Sequence, residues 1–303
     1  MRIIQPEAHI LPMSDDILKH VERCGRIAYK SENAITDDSY IRFIQNIIQR
    51  GHESVLEHGN YVFGLPWQDY YYTLDIYTGL IFEEKASDGF SGRIRFTTYK
   101  NKFVVSGNVR AWRDFIRVMQ NEGEDIPAWM CAFFFNNPAF EDLGLEFSHG
   151  EFKQLQREDL TPAEADIHWT ETVHIICSRA ISHEFVRHRA LSPTQESQRY
   201  CNYSKGKFGG EVTFIEPLWY PSMLLEQAWT DAESAYFGLL ELGKQPQEAR
   251  EVLPNSTKTE LVMTGTIGEW KHFFNLRCPE DAHPEARRIA IPLRDEFTEK
   301  YAF

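Results

Sequence analysis

Arg187, Arg189 and Arg199 fall within thirteen residues of one another, interleaved with His188, Gln195 and Ser197 and followed by Ser204 and Lys205. A guanidinium fork grips phosphate or carboxylate through two parallel N–H bonds, and hydroxyls or loop amides complete the shell around the anion. The bland alternative is a helix C-terminus dressed with cations, which the helix dipole favours. That alternative covers Arg187 and extends to His188, but it leaves Arg189 and Arg199 in a loop without a reason. In a chain of formal charge −13, cations gathered in one place suit a small anion better than a polyanion. The same charge disfavours nonspecific nucleic-acid binding, which needs a broad basic surface.

Other chemistries fit less well. Gly238 to Lys244 mimics a phosphate-binding P-loop, but Gln245 stands where a magnesium-holding Ser or Thr belongs, and Gly243 reads better as a helix stop. His183 and His188 are spaced one residue too far for the helical H-E-x-x-H zinc pattern, so no metal is expected. No G-x-G-x-x-G follows a strand, so nicotinamide would visit as a reductant instead of residing in a Rossmann site. The five cysteines are widely spaced, with no C-x-x-C pair, which suggests reduced thiols. With no long apolar run and no secretory pattern at Met1 to Pro6, the expectation is a cytoplasmic protein without membrane or nucleic-acid partners.

The elements that must position these residues are only partly legible. One strand is predicted from Arg2 to Leu11, then a helix capped by Ser14 with Ile17, Val21, Cys24 and Ala28 on its inner face. A second helix is predicted from Thr36 to a stop at Gly51, with Ile41, Ile44 and Ile48 inward. Arg93 to Ser106 alternates like a hairpin turning at Lys100-Asn101, and Asn108 to Gln120 reads as a helix. A buried strand over Glu171 to Cys177 leads into a helix over Ser178 to Arg187. Because Pro193 biases its neighbour away from helix, Arg189 to Gly210 is predicted to be an extended loop. A long helix from a Ser222 cap to Gly243 follows, then a short helix at Pro246, a strand over Thr257 to Met263, and helices near 266–277 and 282–300. This mixed order implies an α/β or α+β fold.

Arg187-His188-Arg189, seven residues and then Ser197, followed by Arg199-Tyr200, resembles the signature of the flavin-dependent thymidylate synthases. Gly51 to His58 (GHESVLEH) resembles a second block of that family, and Arg250 with Leu253-Pro254 and Phe274 to Arg277 resembles its C-terminal half. The likeness covers roughly residues 1–63 and 170–300.

The resemblance implies a central, mostly antiparallel sheet flanked by helices. It implies one domain over 1–303 with an insertion at about 65–168, peripheral to the chemistry. It implies a methyltransferase that converts dUMP to dTMP, with methylenetetrahydrofolate as carbon donor, FAD as cofactor and NADPH as its reductant, and no cysteine nucleophile. His52, Ser54, Arg187, His188, Arg189 and His272 are then expected at FAD, and Gln195, Ser197, Arg199 and Arg250 at dUMP. Arg277 is expected to face the pyrimidine, where a guanidinium would stabilise charge spreading through the ring. The family site forms between subunits of a homotetramer. Thr266 and Gly268 stand where the family often has Asn and Arg, His272 where it has Asn, and Glu184 where Gln is frequent. Those departures leave open a relative that binds nucleotide without turnover. An RNA-binding module using the loop arginines is a third reading, which the acidic charge disfavours.

Overall fold

The computed structural model describes residues 1–82, 92–199 and 201–301; the stretch 83–91 and Tyr200 of the signature lie outside them. The predicted first strand is two. Pro6 has no amide to donate and splits the run into β1 (Arg2–Ile4) and β2 (Glu7–Ile10), which join different sheets. Helix α1 (Ile17–Tyr29) is capped by Asp16, whose side chain accepts from the Leu18 amide at 2.7 Å, and not by Ser14. Helix α2 (Ser39–Gln49) starts three residues after Thr36 and buries Phe43, Ile44 and Ile47, leaving Ile41 and Ile48 half-buried. Gly51 supplies the left-handed turn (φ 69°) that follows.

Strand β3 (Asn60–Gly64) leads into the segment 65–168. Its elements are α3 (Trp67–Phe82), β4 (Arg95–Tyr99), β5 (Lys102–Asn108), α4 (Val109–Glu122), α5 (Ala128–Phe134), β6 (Lys153–Gln154) and α6 (Pro162–His168). The predicted hairpin and the helix after it form as expected, with Lys100 at the turn and Asn108 as the cap. Strands β4-β5-β3-β6 make one antiparallel sheet. Its aromatic core, built around Trp112, Trp129, Phe63 and Phe134, is continuous with Val21 of α1 and Ile44 and Ile47 of α2.

The remaining elements are β7 (Thr170–Ser178), α7 (Arg179–Phe185), β8 (Ser192–Gln195), β9 (Thr213–Ile215), α8 (Met223–Glu241), α9 (Pro246–Ala249), β10 (Lys258–Thr266), α10 (Ile267–Arg277) and α11 (Pro284–Tyr301). Strands β2-β7-β10-β8 form the antiparallel central sheet, and β1 pairs with β9 in parallel. Helices and antiparallel sheets thus make an α+β fold. The predicted loop from Arg189 is partly strand: β8 pairs with β10 and lies at the edge, where a proline at position 193 costs no interior ladder bond.

Alternation along the sheet sorts its two faces. Val173, Ile175, Leu261 and Met263 meet Phe185, Trp270, Phe273 and Phe297 of the helices on one side. On the other side Val262 meets Cys24 and Ile27 of α1.

Candidate active site

Two helix ends build a cationic hollow from the predicted arginines. Helix α7 is opened by Ser178, whose hydroxyl accepts from the Ile181 amide at 3.3 Å, and past its end the chain turns through Arg187 to Leu191. The amides of His188 and Leu191 close that turn on the carbonyls of Phe185 and His188, at 3.1 and 3.0 Å. Helix α10 approaches from the opposite side. Its capping box pairs the Thr266 hydroxyl with the Glu269 amide (3.2 Å) and the Glu269 carboxylate with the Thr266 amide (2.7 Å). From one face of α10, Glu269, His272 and Arg277 then line a cleft of about 550 Å³ together with Arg187, His188 and Arg189.

Inside this cleft Arg277 is tightly held. Its Nε donates to His188 Nε2 at 2.8 Å, one terminal nitrogen donates to the Glu184 carboxylate at 2.6 Å, and the other to the Glu184 carbonyl at 2.9 Å. Arginine only donates, so the His188 nitrogen facing it must present a lone pair, and the ring is neutral. Burial, then the Arg277 charge and His272, push the His188 pKa down to about 4. The ring also lies against Phe273, centroid to centroid 4.8 Å. By contrast, the exposed guanidinium groups of Arg187 and Arg189 form no ion pair among the described residues.

Five of the sequence-predicted residues (Arg187, His188, Arg189, His272 and Arg277) therefore meet in one place. Others do not. His52 and Ser54 are exposed on a different surface, where His52 Nδ1 lies 3.0 Å from the Tyr29 hydroxyl. Gln195 is spent on the Ser182 and Thr259 hydroxyls at 2.8 and 3.2 Å. Ser197 is half-buried, Arg199 is exposed, and Arg250 sits 3.8 Å from Glu251; none of the three lines the cleft.

A family model, described as thymidylate synthase complementing protein, matches residues 156–301. The chain is 38% identical over 120 residues to the flavin-dependent thymidylate synthase of Geobacter sulfurreducens, covering 38% of this chain and 50% of that relative. It is 37% identical over 130 residues to the one of Pyrococcus horikoshii, covering 41% and 52%. With the Sulfolobus acidocaldarius enzyme of the same name the identity is 35% over 188 residues, and the match takes in 58% of this chain and 68% of that relative. The chain belongs to the flavin-dependent thymidylate synthase family. It spans about half the length of most of the relatives compared here.

Two of the departures sit at structurally constrained positions. Thr266 is the N-cap of α10. At Gly268 a Cβ would stand 2.7 Å from the Asp166 carbonyl oxygen, so α6 occupies the space a side chain needs. Sequence reasoning also missed residues that matter to the cleft: Glu184 anchors Arg277, and Glu269 forms a wall. The Thr266-x-x-Glu269 spacing is a local signal for a capping box, but neither residue's place at the cleft is signalled locally, because Arg277 and Arg95 lie far away in the chain.

A second, larger hollow of about 880 Å³ lies beside β1, β9 and β10. Its floor is already neutralised. Lys258 pairs with Glu196 at 2.9 Å and with Glu260, which also binds Lys30 and His174. Burial pushes the Glu260 carboxyl up, but the His174 hydrogen bond and the Lys258 and Lys30 charges outweigh it and hold the group well below the carboxylate range.

Proposed function

We propose that this chain carries out the reductive methylation of dUMP to dTMP, with methylenetetrahydrofolate as carbon donor and FAD, reduced by NADPH, as cofactor. The observation that carries the reading is the cleft in which Arg187 and Arg189, unpaired, face His272, neutral His188 and anchored Arg277. The residues fit the cofactor: two open guanidinium groups and a backbone turn suit a diphosphate, and the neutral His188 ring steadies Arg277 by accepting from its Nε. Flavin, when bound, supplies the hydride chemistry that these side chains lack. Arg277 keeps two N–H bonds beyond the three it spends on Glu184 and His188, enough to steady negative charge on a pyrimidine oxygen. Ser197, Arg199, Arg250 and Gln195 are assigned to the nucleotide phosphate and base.

In this reading the site is completed by a second copy within a homotetramer. His52 and Ser54 lie away from the cleft of their own chain, and Trp219, Met223 and Leu224 expose 65%, 87% and 85% of their surface near the start of α8. The segment 65–168 and the rest of the chain would act as one domain, since the segment's apolar core takes in Val21 of α1 and Ile44 and Ile47 of α2, and α1 in turn meets Val262 of the central sheet. A cytoplasmic setting accords with the free thiols, and none of the described helices is long and apolar enough to cross a membrane.

No cysteine nucleophile is invoked. Cys201 is buried beside Tyr203, Trp229 and Tyr236, a poor place for a thiolate. Cys201→Ala is expected to keep dTMP formation within about tenfold, a barrier change of about 1.4 kcal/mol. Loss of turnover in a folded, FAD-loaded variant would overturn that part. The whole reading is tested by titrating the purified protein with FAD in the presence of dUMP, then assaying dTMP formation with and without methylenetetrahydrofolate and NADPH. Absence of FAD binding overturns it, and binding without turnover favours a relative that only holds nucleotide.

A further inference from the structure

The walls of the cleft come from the matched region, yet two of its supports come from the inserted segment. Arg93 reaches the turn after α7 and donates from its two terminal nitrogens to the carbonyls of Ala190 and Arg189, at 2.8 and 2.9 Å. One side chain thus pins two successive peptide units in the stretch that presents Arg187 and Arg189, and meets their carbonyl partial charges with a cation. Arg95, two residues on along the hairpin, pairs with Glu269 at 2.6 Å.

The charges around the cleft show what Arg95 changes. Arg277 is balanced by Glu184. Glu269 is the other carboxylate in the wall, and its second oxygen is committed to the Thr266 amide, so it cannot swing away without uncapping α10. With Arg95 in place Glu269 is neutralised, and Arg187 and Arg189 leave the cleft net positive. Without Arg95 a fixed carboxylate would face an incoming anion across a partly dry wall, where like charges repel most strongly. The supports are also rigidly seated. Lys271 of α10 grips Asp166 of α6 at 2.7 Å, and α6 packs so close to Gly268 that no side chain fits between them.

We infer that Arg93 and Arg95 are positioning residues of the anion cleft: Arg93 fixes the Arg187–Arg189 turn, and Arg95 cancels the charge of Glu269. The ligand class is a diphosphate-bearing molecule, which rests on the flavin reading above. The segment expected to be peripheral is therefore part of the site's support, and a family chain with a bare glycine at position 268 can still present a positive cleft.

The test compares the parent protein with Arg95→Gln, Arg95→Gln/Glu269→Gln, Arg93→Ala and Arg93→Lys. Each is titrated with FAD by absorbance and with inorganic pyrophosphate by calorimetry, after circular dichroism confirms folding. Arg95→Gln should weaken binding about tenfold, and adding Glu269→Gln should recover most of the loss, because glutamine keeps the helix cap and removes the repulsive charge. Arg93→Ala should weaken binding by a similar factor of about ten, with part of it returned by Arg93→Lys. Unchanged affinity in Arg95→Gln, or a double variant as weak as the single, overturns the charge-cancelling role. Arg93→Ala with parental affinity overturns the turn-fixing role. A parent that takes pyrophosphate but not FAD removes the flavin reading alone, and the same comparisons made with pyrophosphate then decide this inference. A parent that binds neither ends both.

Discussion

Around helices α4 and α5 the buried layer is chiefly apolar and rich in aromatic rings. Trp112 and Trp129 meet edge to face at 5.8 Å, Phe63 packs on Trp129 at 5.0 Å, and Phe134 stacks on Phe140 at 4.0 Å. Between the central sheet and α1 a buried polar chain runs beside the small apolar cluster of Cys24, Ile27 and Val262. His20 Nε2 lies 2.8 Å from the Thr172 hydroxyl, which lies 2.7 Å from that of Thr264; His58 then bridges Thr264 and Thr194 at 2.8 and 2.7 Å. The first layer derives its stability from area and shape, which tolerate a change of pH. The second depends on direction and on uncharged imidazoles, because a buried polar group is tolerated only while its partners are in place. The regions differ in what breaks them, and the side that holds the aromatic layer also reaches the cleft, through Arg93 and Arg95 of its hairpin.

The largest expected effect breaks the aromatic layer. Trp112→Ala removes a fully buried ring that four other aromatics lean on, and should lower unfolding free energy by about 3–5 kcal/mol in urea titration. That loss should be the same at pH 7 and pH 5.5; a strong pH dependence would erase the contrast between the layers.

Acid should attack the other layer. Burial pushes the pKa values of His20 and His58 down to about 3, from about 6.5 in the unfolded chain. Below pH 6.5 the unfolded state takes up protons that the folded state refuses, so the stability these histidines contribute is present at neutral pH and drains away as pH falls toward 3. The slope is at most about 1.4 kcal/mol per pH unit for each ring. Urea midpoints at pH 7, 6 and 5 measure it, and a flat profile would mean the rings are already charged or exposed.

Thr264→Val sharpens the same comparison with less force. Its hydroxyl serves both Thr172 and His58, and a nearly isosteric methyl leaves those partners unsatisfied without opening a cavity. A loss of about 1–3 kcal/mol is expected, and a neutral outcome would show that the polar chain is dispensable. The smallest effect concerns the hairpin turn of the inserted segment. Lys100 sits at φ 54°, where a Cβ is crowded, and Lys100→Gly should raise stability by up to about 1 kcal/mol by thermal melt.

Much of the fold was legible from local chemistry. Ser222 caps the helix it was expected to cap, the helix expected from Asn108 forms with Asn108 as its cap, and the Lys100-Asn101 turn closes its hairpin, because each depends on residues within one turn of itself. The misreadings came where a local cue met a distant partner or a better competitor. Asp16 displaced Ser14 as a cap because it sits immediately before Ile17. Ser192 to Gln195 looked like loop because β8 becomes a strand only by pairing with β10, more than sixty residues later.

The candidate site divides along the same line. By itself the sequence determined the family, the cationic turn of Arg187, His188 and Arg189, and the alternation that sorts the faces of β7 and β10, since motifs and periodicity are written in neighbouring residues. Only the tertiary structure decided that Arg277 is held by Glu184 and His188, that Arg95 answers Glu269, and that Arg93 holds the carbonyls of Arg189 and Ala190. Each of those contacts joins residues about ninety or more positions apart. At such separations a side chain's partner is set by how helices and sheets pack, and nothing in either residue's own neighbourhood encodes it.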